Sequence, residues 1–217
     1  MALSEYNKRA GMSVSRLEAL SDGLFAIAMT LLLLEVHLPE PATIGNETEL
    51  YTALGLLAPR ILVYVMSFLT LGIFWIGQQS QLSHLEGADR DVTWAHLGFL
   101  FLVSTVPLTT RFLADFAHYR IAVLCYWVVI LFMGVTLWLA WTHAVRAKLL
   151  ISDLPDGFAG VYLRRIVIAQ SLYALAAAVS LWSTTASIAT FLAIQIGYAV
   201  AVERFLPRRF RKREAGG

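Results

Sequence analysis

The chain is short of charge and almost free of cysteine. Aspartate, glutamate, lysine and arginine make up 15% of its 217 residues, against roughly a quarter in soluble domains. Hydrophobic residues account for 58% and the mean hydropathy is +0.66, a balance that excludes an ordinary water-facing surface. The single cysteine, Cys125, excludes an intrachain disulfide and any cysteine metal motif. It lies in an apolar run, where a buried, inert thiol is expected. The marks of an enzyme are also missing. The histidines His37, His84, His96, His118 and His143 include no i, i+4 pair and no H-E-x-x-H, and there is no P-loop, no G-x-G-x-x-G after a strand and no G-x-S-x-G. Neither catalysis nor a cofactor nor a resident metal is expected. The polar start, MALSEYNKRAGMSVSR, lacks the apolar core of a signal peptide, so the first apolar helix is expected to stay in the mature protein.

What is present is a succession of apolar segments at 18–38, 54–79, 93–116, 119–144, 161–182 and 185–205. At about 1.5 Å per residue each matches the ~30 Å hydrocarbon core of a bilayer. The expected fold is an all-α membrane protein of six transmembrane helices forming one domain over 1–217, with a basic tail at 206–217. Basic residues set the orientation. Lys8, Arg9 and Arg16 precede the first span, Arg90 lies between the second and third, and Arg146, Lys148, Arg164 and Arg165 lie around the 4–5 connector. Arg204, Arg208, Arg209, Arg211, Lys212 and Arg213 close the chain, while the other side holds only Arg60, Arg111 and Arg120. The positive-inside rule then places both termini in the cytoplasm, as an even number of spans requires. The net charge of +2 is a topology signal, and the tail fits anionic lipid better than nucleic acid.

The first span organises the rest. Glu18 and Asp22 stand near its start and Glu35 closes it, with no ionisable side chain from Leu24 to Leu34. A carboxylate at that depth is costly in lipid, so Asp22 is expected to face protein or water. On a helical period Ile27, Leu31 and Leu34 share a face, with Thr30 beside it. Hydropathy fits two readings of this stripe: packing or lipid contact, and a pore wall whose apolar rings gate wetting. Ser67, Thr70, Gln170 and Gln195 inside other spans read as interhelical hydrogen bonding. Gly72 and Gly77 read as points of close helix approach, and tryptophans such as Trp75 and Trp138 as belonging in part to an interfacial belt.

The segment RLEALSDG at 16–23, followed by LFAIAMTLLLLEV, resembles the RxxxFSDG signature that opens the transmembrane protein 175 family. Phe74-Trp75 and the stretch from Ser104 to Pro107 also resemble it. The family comprises endosomal and lysosomal potassium channels of animals and shorter bacterial homologues. The resemblance implies a potassium-selective channel lined by the first helix, with Ile27, Leu31 and Leu34 as the constriction, Thr30 as a polar ring, and permeant K⁺ as the only bound ion. It implies that Arg16, Ser21, Asp22 and Gly23 anchor that helix. Asp22 has a second reading, attraction of cations to the inner mouth. Animal members carry two six-span repeats and pair as dimers; one signature here implies a homotetramer in the inner membrane. Gln78-Gln79 replaces a histidine pair of many relatives, keeping hydrogen bonding but not titration. The competing class is a small secondary transporter exchanging a cation or protons. The absence of carboxylates in the middle of the spans weighs against it.

Overall fold

The computed structural model describes residues 12–36, 38–41, 44–155 and 157–205. Lys8, Arg9, His37 and the basic tail 206–217 lie outside the described residues. The chain folds as α1 (Val14–Leu34), α2 (Glu47–Leu82), α3 (Arg90–Asp115), α4 (Arg120–Arg146), α5 (Phe158–Val179) and α6 (Thr184–Phe205). The first five are long and apolar enough to cross a membrane, and the fold is all-helical as expected. Among the described residues the one departure is an isolated bridge between Leu85 and Leu150.

α2 starts at Glu47, well before the apolar run that marks it in the sequence. The cause is local. Asn46 Oδ1 accepts the Glu49 N–H at 3.0 Å, Asn46 Nδ2 donates to Glu49 Oε1 at 2.8 Å, and Glu49 Oε2 accepts the Gly45 N–H at 2.7 Å. These bonds satisfy helix donors that have no partner within the helix, so a polar segment becomes helical. Arg60 pairs with Asp115 at 3.5 Å, which sets Arg60 level with the end of α3. The preceding turns of α2 therefore overhang that end by about 20 Å, with Leu50, Tyr51, Leu54 and Leu56 exposed.

α1 packs on α2 and α3, α3 packs on α4, and α5 and α6 close the bundle against α4 and α2. Phe99 joins Phe25 and Phe74, with ring centroids 6.0 and 6.2 Å away. Deeper in the bundle Phe191 meets Tyr126 and Tyr173. A directed chain of hydroxyls crosses this core. Thr110 donates to Ser67 at 2.8 Å, Ser67 to the Tyr126 hydroxyl at 3.2 Å, and that hydroxyl meets Thr70 at 2.8 Å. Thr70 in turn donates to the Met66 carbonyl and accepts from Gln195 Nε2. The chain joins α2, α3, α4 and α6 at roughly 0.6 kcal/mol per bond. Its members matter more for register than for total stability, because any one removed strands the next.

A methyl built on Gly72 or Gly77 meets nothing within 4 Å, so neither serves close approach inside this chain. Gly134 does: a methyl there would overlap the Gln170 side chain, which lies across α4 to reach the Ile130 carbonyl.

Where α3 begins and α4 ends, Asp89 caps α3 by accepting the Val92 N–H at 2.9 Å and takes a second bond from His143 Nε2 at 2.7 Å. Burial pushes the Asp89 carboxyl up, but the His143 and Val92 bonds outweigh it and hold the group below its ordinary 3.8. A lowered folded value means that this stabilisation is complete above 3.8 and is lost as pH falls through the folded value. Melting temperatures in detergent are expected to fall as pH drops below 3.8. Asp89→Asn, which keeps the cap, is expected to cost about 1 kcal/mol at neutral pH and to flatten that limb.

Candidate functional site

Two faces of α1 have different fates. Leu17, Ser21, Phe25, Ala28 and Leu32 recur at helical spacing and are buried in the chain's own core. Ile27, Leu31 and Leu34 point away from it and are 61%, 42% and 76% exposed. Gly23 and Thr30 share that outward side. Thr30 Oγ1 donates to the Ile27 carbonyl at 2.8 Å. Its proton is thereby committed to the helix and its lone pairs remain as acceptors, the polarity a cation needs.

α1 is fastened at two levels. The helix begins at Val14 rather than near Glu18, so Asp22 lies about two turns inside it, where its carboxylate accepts from Trp75 Nε1 at 2.8 Å and from Gln79 Nε2 at 2.6 Å. The neighbouring Gln78 Nε2 donates to Ser21 Oγ at 2.5 Å, and Ser21 donates to the Leu17 carbonyl. Asp22 thus faces protein amide and indole donors. Bonds to a charged acceptor are worth about 1.5–3 kcal/mol each when desolvated and less at an exposed group. Gly23 has open space around it. The Arg16 side chain is exposed and makes no ion pair among the described residues.

At the other end Glu35 closes α1. Its carbonyl accepts from the Tyr64 hydroxyl at 2.9 Å, and its carboxylate pairs with Arg111 at 3.1 Å. Arg111 and Arg60 both reach Asp115, at 3.8 and 3.5 Å. The four charges surround a cavity of about 10 Å³, room for one water. Between these anchors α1 carries no ionisable group.

The structure brings Ser21 and Asp22 together with Gln78 and Gln79, leaves Arg16 and Gly23 outside that cluster, and turns Ile27, Thr30, Leu31 and Leu34 to one side. The sequence named Trp75 and Arg111 but not their pairings with Asp22 and Glu35. Trp75 lies 53 positions from Asp22, and an indole near a span end reads first as a belt residue. The signal for Arg111 was its sign, since a cation at the same end of the spans as Glu35 has a partner within reach.

The family model described as endosomal/lysosomal potassium channel TMEM175 matches residues 16–107. A potassium channel of Streptomyces collinus is 34% identical over 145 residues, covering 65% of this chain and 69% of that one. A potassium channel of Chamaesiphon minutus is 28% identical over 189 residues, 85% of this chain and 93% of its own length. The endosomal/lysosomal proton channel TMEM175 of Mus musculus is 31% identical over 147 residues, which span 29% of that longer protein. Among solved structures, the lysosomal potassium-selective channel TMEM175 homolog from Chamaesiphon minutus superposes with a TM-score of 0.74 at 26% identity. The match covers 86% of this chain and 96% of that one.

Proposed function

Because this chain belongs to the TMEM175 family, we propose that it is a potassium-selective cation channel whose pore is lined by α1 from four copies. The family is one of ion channels, not enzymes. The observation that carries the reading is the outward turn of Ile27, Leu31 and Leu34 from a helix whose other face is buried. Four copies placed around an axis by cyclic symmetry would stack these side chains as apolar rings, with Thr30 as a ring of acceptors beside them. An apolar ring replaces none of the water an ion sheds, so permeation favours the cation that dehydrates more easily, K⁺ over Na⁺. Asp22, about two turns inside α1, and Glu35 at its end hold the pore-facing half of the helix so that ring width is set by packing. The termini face the cytoplasm of a bacterial inner membrane in this reading, and K⁺ is the permeant ion.

Ion flux from liposomes holding the purified protein tests the reading. K⁺ efflux is expected without a proton gradient and faster than Na⁺ efflux. Flux that appears only with a proton gradient would instead identify an exchanger.

A further inference from the structure

A second cavity lies on the surface between the start of α3 and the end of α4, and no residue of α1 lines it. An open cavity of about 320 Å³ is lined there by Asp91, Trp138, Leu139, Thr142, His143 and Arg146. That volume falls in the range of small-molecule pockets. Its charges are arranged unusually. Asp91 and Arg146 line the same cavity but do not pair with each other. Asp91 comes no closer to a cation than His143 Nε2, at 3.9 Å, and that imidazole is already held by Asp89 at 2.7 Å. Arg146 has no ion pair among the described residues and is exposed. A guanidinium with no ion pair among the described residues and a carboxylate whose nearest cation is an imidazole shared with Asp89 therefore flank one cavity.

Its depth in the membrane follows from helix length. α4 has 27 residues, about 40 Å, against a hydrocarbon core of ~30 Å. With α4 centred on the bilayer, Arg146, its last residue, would stand in the headgroup layer, and Trp138, about 12 Å inward, would stand roughly 7 Å inside the hydrocarbon, at the level of upper acyl-chain carbons. Trp138 and Leu139 are 37% and 51% exposed and form an apolar wall below the charges.

We propose that this cavity binds one phosphatidylethanolamine molecule, with its phosphate on Arg146, its ammonium on Asp91 and its upper acyl chain along Trp138 and Leu139. A guanidinium suits phosphate oxygens, to which it donates in parallel. A primary ammonium donates hydrogen bonds to a carboxylate, which choline cannot do. A lipid with net negative charge would meet Asp91, with Asp89 behind it, and is disfavoured.

The test is native mass spectrometry of the full-length protein equilibrated with equal amounts of phosphatidylethanolamine, phosphatidylcholine and phosphatidylglycerol. Wild type is expected to retain phosphatidylethanolamine about threefold over each of the others, the scale of one partly exposed ion pair. Asp91→Asn is expected to erase the preference over phosphatidylcholine. Arg146→Ala is expected to lower retention of both zwitterionic lipids, with Arg146→Lys restoring part of it. Melting curves identify any variant that fails to fold, and Arg146→Gln then replaces the alanine variant. Stronger retention of phosphatidylglycerol, equal retention of all three lipids by wild type, or unchanged ratios in both folded variants overturns the assignment.

Discussion

Ile27→Ala is expected to raise cation flux about tenfold, equivalent to some 1.4 kcal/mol off the permeation barrier, and to draw the K⁺/Na⁺ preference toward one. Ile27 is 61% exposed in the single chain, so its truncation leaves the core intact and should change folding stability by less than about 0.5 kcal/mol. In the proposed assembly the same truncation acts in every copy on one ring. A wider apolar ring stays wetted more of the time and lets Na⁺ keep more of its water, so conduction rises as discrimination falls. Leu31→Ala and Leu34→Ala should act in the same direction. Phe101, on α3 and 68% exposed, is the control, because its truncation removes as much surface from a helix outside the proposed pore. Parallel K⁺ and Na⁺ flux assays on the four variants check this. Equal effects at Phe101 and Ile27 would mean that the assigned face is wrong.

Asp22→Ala is expected to cost about 2 kcal/mol and to abolish most of the flux. It removes the acceptor shared by Trp75 and Gln79 and leaves two donors without their charged partner. For a domain of this size that lowers the melting temperature by about 5 °C. Asp22→Asn, which keeps one acceptor oxygen, should lose less. The salt dependence separates anchoring from attraction of cations to the pore mouth. Attraction is screened within a Debye length of about 10 Å at 0.1 M salt, whereas a hydrogen-bonded anchor is not. Flux lost at every ionic strength, together with a lower melting point, supports anchoring. Flux lost only in dilute salt, with an unchanged melting point, would make Asp22 a collector of ions instead.

Much of the architecture could be read in advance because long apolar runs have few alternatives. A chain in lipid must satisfy its own backbone hydrogen bonds, so each such run is a helix and the connectors are short. Helix ends were harder, and α2 shows why. Its first turns are polar and read as a connector by hydropathy, although the Asn46 and Glu49 cap that makes them helical was visible as residue types. The outward stripe of α1 could be read as a stripe, but its buried counterpart, Leu17 to Leu32, could not be told from it. Both are apolar at the same spacing, and only the packing of α2 and α3 distinguishes them. Glycine shows the same within the single chain: Gly72 and Gly77 sit beside open space while Gly134 receives Gln170, a difference set by which face meets which helix. The partners of Asp22 come from a second helix far along the chain, and no local pattern announces such a pair.

Access to Leu31 from water tests most directly whether α1 lines the pore. In a Cys125→Ser background, Leu31→Cys would be exposed to a small charged thiol reagent while K⁺ flux is recorded, with mass spectrometry reporting the extent of modification. A lining position predicts rapid modification and loss of most of the flux, with protection when the pore is filled by a blocking cation. A residue facing lipid predicts negligible modification by the charged reagent. Complete modification with flux unchanged would also contradict the account, because a charged group at the narrowest ring must be felt by every ion that crosses it.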